Sequence, residues 1–282
     1  MNDHSDILIE LALAEDIGDG DVTSLYFIPE ERRACAFVAV RKDGVVSGVE
    51  LAARVFAAVD RKLDVEILIA DGSRVSSGAL LIRVEGSARS ILTAERTALN
   101  FLQRLSGVAT LTAHYVEQIK GTRAQILDTR KTTPGYRLLE KKAVLDGGGS
   151  NHRLGLYDRA MVKDNHLVAE GGTQAIQAAI HRLKSDKPGV EVELEADDIE
   201  QVRSFLTMDG VDHILLDNMS LEQLREAVDL RGERGKPMLE ASGGITLESL
   251  RTIAKTGVDF ISVGALTHSA PALDIGLDFE TL

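Results

Sequence analysis

Between Thr129 and Lys163 the chain carries eight basic residues, Arg130, Lys131, Arg137, Lys141, Lys142, Arg153, Arg159 and Lys163, against three acids, Glu140, Asp146 and Asp158. The whole chain has a formal charge of -12, so this is a confined cationic zone in an acidic protein, suited to focusing a small anion. Guanidinium groups present paired N–H donors to a carboxylate, and lysine is a compact point charge. The mixture therefore points to a ligand bearing carboxylate, phosphate or both. Arg130, Lys131 and Lys163 close short apolar runs, the strand ends at which parallel sheets hold their ligands. His152 and Arg153 follow GGGSN, where glycine either lets the backbone approach a ligand or simply makes a turn. Lys141, Lys142 and Arg159 suit a solvated helix face.

Acidic chemistry lies further along. In VEVELE, strand alternation puts Val190, Val192 and Leu194 on one face and Glu191, Glu193 and Glu195 on the other. On an edge strand these glutamates would be solvated. In a barrel the outer face must be apolar to receive helices, so they would point inward and need cations, sugar hydroxyls or a metal. Asp217 ends the run HILLD, and together Glu193 and Asp217 could hold Mg²⁺ through oxygen ligands and water. Ser242, Gly243 and Gly244 precede the helical stretch TLESLRTIAKTG, and the next apolar run ends at Gly264. Free backbone N–H groups at two such late turns can bind a phosphate, although a tight turn would also demand glycine. His4, His114, His181 and His213 show no metal-ligand spacing, and no Cys/His zinc pattern, phosphate loop of the Walker type or GxSxG elbow occurs.

These residues need a scaffold, and 282 residues suffice for one large domain or two ordinary ones. Residues 1–109 read as α+β, with strand-like runs at Ala36–Val40, Leu63–Ile69 and Leu80–Val84. Helical spacing covers 51–59 and 88–105, with Gly107 expected to stop the second helix. From about residue 124 an apolar run, a polar end and a helical stretch repeat, which is the pattern of βα units. The runs end at Asp128, Lys163, Glu195, Asp217, Glu240 and Gly264, with helices expected near 173–184, 197–206, 220–230 and 246–256. The strands seen are too few for an ordinary eight-stranded barrel. The expected fold is α/β, an incomplete or irregular parallel barrel over 110–268 preceded by the α+β domain, with an open doubly wound sheet as the alternative. Residues 269–282 are expected to return to the first domain.

The negative charge repels phosphate backbones and anionic lipid, and no apolar run approaches the roughly 20 residues of a membrane span. Neither nucleic acid nor a membrane is expected as a partner. Cys35 is the only cysteine and the start is acidic, without the basic region of a secretory signal, so cytoplasmic residence is expected.

The run DTRKTTPGYRLLEKKAVLDGGGSNHRLGLYDRAMVKDNH, residues 128–166, closely resembles the signature of the quinolinate phosphoribosyltransferase family, the carboxylating nicotinate-nucleotide pyrophosphorylases of NAD biosynthesis. The similarity continues through LAEDIGDGDVTS, AERTALNFLQRLSGVAT, VEVELEA, ILLDN, LEASGGI and VGALTHSAPALDIGLDF. The resemblance implies an amino-terminal α+β domain and an incomplete α/β barrel in a homodimer, the first domain of one subunit covering the other's barrel mouth. It implies quinolinate and phosphoribosyl pyrophosphate as substrates. Quinolinate's carboxylates would meet Arg130, His152, Arg153 and Lys163, with Arg96 supplied by the second subunit, and Lys131 would meet phosphoribosyl pyrophosphate. Glu193 and Asp217 would hold ribose hydroxyls and Mg²⁺, and Ser242, Gly243 and Gly264 the 5′-phosphate. Thr129 falls inside the motif without a defined role, and Arg96 by its surroundings alone reads as a solvated helix position.

The implied reaction, decarboxylating phosphoribosyl transfer, gives nicotinate mononucleotide, CO₂ and pyrophosphate, with Lys131, Lys163, Glu193 and Asp217 as catalytic candidates. Charge builds on the departing pyrophosphate as the sugar carbon becomes oxocarbenium-like, which explains cations and a metal at one site. Lys163 reads as an electrostatic and positioning group, although a strand-end lysine also fits a Schiff-base aldolase. The alternatives are a sister-family phosphoribosyltransferase of another substrate, against which KDNH at 163–166 argues, and a non-catalytic sensor of a phosphorylated anion.

Overall fold

The computed structural model describes residues 5–163 and 172–280. The Asp164–His166 part of KDNH and His4 lie outside the described residues. The chain divides into two compact units. One takes the residues up to Ala113, Thr132–Gly148 and those from Leu266 onward; the other takes His114–Lys131 and Gly149–Ala265. The expected boundary near 109 thus meets a more interleaved path, in which 132–148 leaves the barrel sequence and joins the first unit.

That excursion has a physical anchor. Glu140, fully buried, accepts hydrogen bonds from the Arg104 guanidinium at 2.7 Å and from Thr133 N–H at 3.0 Å and its hydroxyl at 2.8 Å. Lys142 bridges Asp71 at 2.7 Å and Asp146 at 2.9 Å. Lys141 is 1% exposed, so the expectation of a solvated face fails for it: the helix Arg137–Asp146 turns this residue inward.

The first unit holds a four-stranded antiparallel sheet in the order Ile275–Phe279, Arg33–Val40, Leu80–Ser87, Asp64–Ile67. The carboxyl-terminal strand therefore pairs with the first strand, Val38 facing Leu277. Helix Val49–Val59 buries Val49, Ala52, Val55 and Phe56, the three-to-four-residue spacing of a helix with one apolar face. Helix Ala88–Gln118 runs 31 residues, straight past the expected stop at Gly107. Glycine is needed there for space: a Cβ would stand 2.1 Å from the Pro271 carbonyl oxygen.

The second unit is a six-stranded parallel sheet in the order Gln125–Leu127, Phe260–Ser262, Met238–Ser242, His213–Asp217, Glu191–Ala196, Arg159–Val162. All six expected runs became strands, and the ladders leave the first and last of them as edges, an incomplete barrel among the described residues. Helices Thr173–Asp186, Ile199–Phe205, Leu221–Arg231 and Leu247–Ala254 fall where the periodicity placed them. Asp198, Ser220 and Thr246 cap the last three by accepting the N–H of the residue three positions on, which satisfies donors the helix cannot. No helix among the described residues is long and apolar enough to cross a membrane.

Gly107→Ala tests the packing reading directly. Helix propensity alone favours alanine by about 1 kcal/mol, whereas the clash with Pro271 should reverse the sign and destabilise the protein by about 1–3 kcal/mol. Urea unfolding distinguishes the two, and a variant more stable than wild type defeats the close-approach argument.

Candidate active site

Alternation in Glu191–Ala196 works as the sequence requires: Val192 and Leu194 are buried, and the glutamates lie on the opposite face. The parallel register then sorts their depth. Glu193 stands beside His213 and Glu195 beside Leu215, so Asp217 is four residues further along its strand than Glu193's neighbour, about 13 Å at ~3.3 Å per residue. The expected pairing of Glu193 with Asp217 as metal ligands is therefore corrected. Asp217 groups with Glu195 and Asp197, whose ligand oxygens lie within 4.8 Å of one another.

A cavity of about 510 Å³ opens at the carboxyl ends of these strands. Thr129, Arg130, Lys131, His152, Arg153, Lys163, Asp217, Ser242 and Gly243 all line it, so most of the expected site residues meet. Glu193 and Gly264 are not in the lining, and Arg96 is an exposed residue on helix Ala88–Gln118 of the other unit. Arg159, expected on a helix face, is instead on a strand and binds Glu191 at 2.8 Å. Lys163 pairs with Glu195.

Each cavity group is held by short-range chemistry. Asp128 at the end of its strand run accepts the His152 N–H at 2.9 Å, and Asp158 accepts Leu154 N–H at 2.6 Å and Gly155 N–H at 2.8 Å, so the turn bearing Arg153 is tied at both sides. The Arg153 guanidinium meets the Arg159 carbonyl and the Met161 sulfur, each at 3.3 Å, and no carboxylate within salt-bridge distance among the described residues. Burial, and then the Arg130 charge, push its pKa below the usual arginine value. A half-buried guanidinium facing a second one is a site that asks for an anion.

On the next turns, Asn218 adopts φ 52°, a left-handed conformation asparagine tolerates better than most residues. Its amide donates to Asp217 Oδ2 at 2.7 Å and orients that carboxylate. Gly243, at φ 93°, could carry no side chain, because a Cβ would lie 2.2 Å from Asn218 Oδ1. The SGG turn thus follows from its neighbour as well as from any phosphate.

Lining the cavity is a further group, which the sequence marked only as a strand end. Glu240 is fully buried, and both its oxygens lack hydrogen-bond partners. Burial, reinforced by the charge of Glu193, pushes its pKa up to about 8. Glu193 goes the other way: burial resists its charge, but His152 and Arg159 hold its pKa below the usual range. One carboxylate of the pair is ionised at neutral pH and the other is not, the arrangement that avoids two adjacent buried charges.

A parallel sheet whose carboxyl ends bring arginines, lysines, a carboxylate group and a glycine turn around one cavity defines an α/β enzyme that handles a small polyanion. Residues 21–106 match the family model of the quinolinate phosphoribosyl transferase N-terminal domain, and residues 108–278 that of its C-terminal domain. The chain is 43% identical to the nicotinate-nucleotide pyrophosphorylase (carboxylating) of Mycobacterium leprae, over 96% of the chain and 95% of that protein. It is 44% identical to quinolinate phosphoribosyltransferase (decarboxylating) 2, mitochondrial, of Nicotiana glauca, over 97% of the chain and 82% of that protein. The solved structure of the nicotinate-nucleotide pyrophosphorylase from Francisella tularensis superposes with a TM-score of 0.92 at 40% identity, covering 99% of this chain and 98% of that one. The chain belongs to the quinolinate phosphoribosyltransferase family, a family of pentosyltransferases.

The Glu240 pKa fixes a sign for pH dependence. Its folded value lies above the ordinary 4.5, so the folded state holds a proton that the unfolded state releases, and stability falls as pH rises from about 4.5 to about 8. Glu240→Gln removes that titration. The variant should gain stability relative to wild type between pH 5 and pH 8 in denaturant unfolding; a gap that stays constant would mean the carboxyl is ionised in the fold.

Proposed function

We propose that the protein transfers the phosphoribosyl group of phosphoribosyl pyrophosphate to quinolinate, releasing CO₂ and pyrophosphate and forming nicotinate mononucleotide. The observation that carries this reading is Arg153 beside Arg130 in the cavity with no carboxylate within salt-bridge distance among the described residues, while a carboxylate cluster and a glycine turn lie at the same strand ends. A ligand with two adjacent carboxylates answers the arginines, and an activated sugar phosphate answers the rest.

In this reading Arg130, Arg153 and Lys163 grip the pyridine dicarboxylate and Lys131 faces the pyrophosphate. The pyridine nitrogen bonds to the anomeric carbon as the bond to pyrophosphate breaks, its electron pair leaving with the pyrophosphate. Lys131 stabilises that charge. The ring, now cationic, accepts the pair released when the adjacent carboxylate departs as CO₂, and a proton takes its place. The cationic nitrogen stabilises only the pair left on the carbon beside it, so the adjacent carboxylate is the one that leaves, and holding both carboxylates keeps the nitrogen directed at the anomeric carbon. Ser242 and Gly243 offer the 5′-phosphate a hydroxyl and an open backbone, with Gly264 on the neighbouring turn.

Mg²⁺ fits the site through Asp217, Glu195 and Asp197, since three converging carboxylates are the hard oxygen donors this ion takes. When bound, it would supply positive charge to the pyrophosphate oxygens. A homodimer with Arg96 completing the second subunit's site is part of the proposal, supported by the exposure of Arg96. Cytoplasmic residence is part of it too, supported by the lone half-buried thiol of Cys35.

Purified protein should release labelled CO₂ from quinolinate only with phosphoribosyl pyrophosphate and Mg²⁺; absence of turnover rejects the reading. Arg153→Ala should raise the quinolinate KM at least about 30-fold, the effect of about 2 kcal/mol for truncating a buried ionic contact, with the melting temperature little changed. Unaltered KM in the folded variant removes Arg153 from the site. Separately, inactive Arg96→Ala and Lys163→Ala chains, mixed and allowed to exchange, should regain activity in hybrid dimers. Verified hybrids without activity contradict a shared site.

A further inference from the structure

The resemblance gives His152 the role of a substrate ligand, but both nitrogens of its ring already have protein neighbours. Nδ1 accepts the N–H of Arg153 at 2.7 Å. Nε2 lies within hydrogen-bond reach of Glu193 Oε1 at 3.4 Å, with Glu193 Oε2 at 3.1 Å and Glu240 Oε2 at 3.5 Å. The ring is 6% exposed and both glutamates are fully buried. The Arg153 amide takes up the Nδ1 lone pair, so the ring's proton belongs on Nε2, facing the glutamates. A backbone N–H can only donate, so Nδ1 must present its lone pair. A ring turned over, or protonated on Nδ1, would set two N–H groups against each other at the Arg153 amide.

We propose that His152 is a positioning residue for Arg153: Glu193, with Glu240 close beside it, holds the ring in one orientation so that its Nδ1 anchors the Arg153 amide and, through it, the guanidinium in the cavity. The relay passes from strand Glu191–Ala196 into the turn that carries the anion-binding cation. It complements the Asp128 bond to His152 N–H and the Asp158 bonds beyond Arg153, so that the amides of 152 to 155 are all restrained. Glu193 thereby acquires a task that explains its depth below Asp217. The inference deepens the quinolinate reading, on which its ligand-binding readout rests.

Two side chains separate positioning from direct contact. Asparagine puts an amide oxygen near the place of Nδ1, whereas glutamine reaches the place of Nε2. For a positioning ring, His152→Asn should bind quinolinate within about threefold of wild type, while His152→Gln and His152→Ala weaken binding about tenfold or more, the loss of one buried hydrogen bond being about 1.4 kcal/mol. Calorimetry on variants shown to be folded by circular dichroism measures this. The reverse order, Gln rescuing and Asn failing, overturns the proposal in favour of direct contact through Nε2. Ring ¹⁵N NMR of the ligand-free wild type supplies an independent readout: Nδ1 should show the unprotonated signature at pH 7.5 and lose it as a single species in Glu193→Gln, where the amide can donate as well as accept. A protonated Nδ1 in wild type overturns the assignment. Failure of wild type to bind quinolinate, with the Nδ1 signature present, would reject the substrate and leave the relay standing.

Discussion

A charged group on the inward face of a parallel sheet must find a counter-charge or give up its own charge, and this requirement organises the second unit. Arg159 answers Glu191 and Glu193, the latter also taking a hydrogen bond from the His152 ring, and Lys163 answers Glu195. Glu240 answers the same demand by keeping its proton. What remains after this pairing is informative: among the described residues, a guanidinium at Arg153 with no carboxylate within salt-bridge distance, and Asp217 and Asp197 clustered with Glu195. Those are the groups that a dicarboxylate ligand and a cation-bearing sugar pyrophosphate would complete.

Position at this site is controlled by short polar side chains at strand ends. Asp128, Asp158 and Asn218 each use a side chain of one or two carbons to take or give a backbone-scale hydrogen bond. Such bonds fix a turn more closely than a long charged side chain could, because few torsions remain to be frozen. The cations themselves are long and flexible, so their accuracy comes from the turns beneath them. Preorganisation of this kind is what the proposed reaction needs, since a ring rotated in its site would turn its nitrogen away from the sugar carbon.

Much of this was legible beforehand. The six apolar runs became the six strands because β-branched and leucine runs bounded by charged residues have few other uses, and the helices between them followed their periodicity. Arg130, Lys131, His152, Arg153, Lys163, Asp217 and Ser242 could be nominated from their places at run ends or beside glycine, and they share one cavity. Asp128 and Glu240 ended runs too, yet nothing in their neighbours announced an amide acceptor or a neutral acid. Gly107 carried the usual signature of a helix end, and only the distant Pro271 segment explains it.

The chain's local chemistry thus determined which residues form strands and helices, which strand face is polar, and which residue types could meet an anion, since all of these depend on neighbours a few positions away. Tertiary structure alone decided the depth at which each acid stands, because register between strands is a property of the pair: it separated Glu193 from Asp217 and brought Glu195 and Asp197 to Asp217 instead. It also decided protonation, placing Glu240 in a medium where charge is too costly beside Glu193. Residues 132–148 joined the first unit for the same reason, as the partner of the buried Glu140 is Arg104, 36 positions away along the chain.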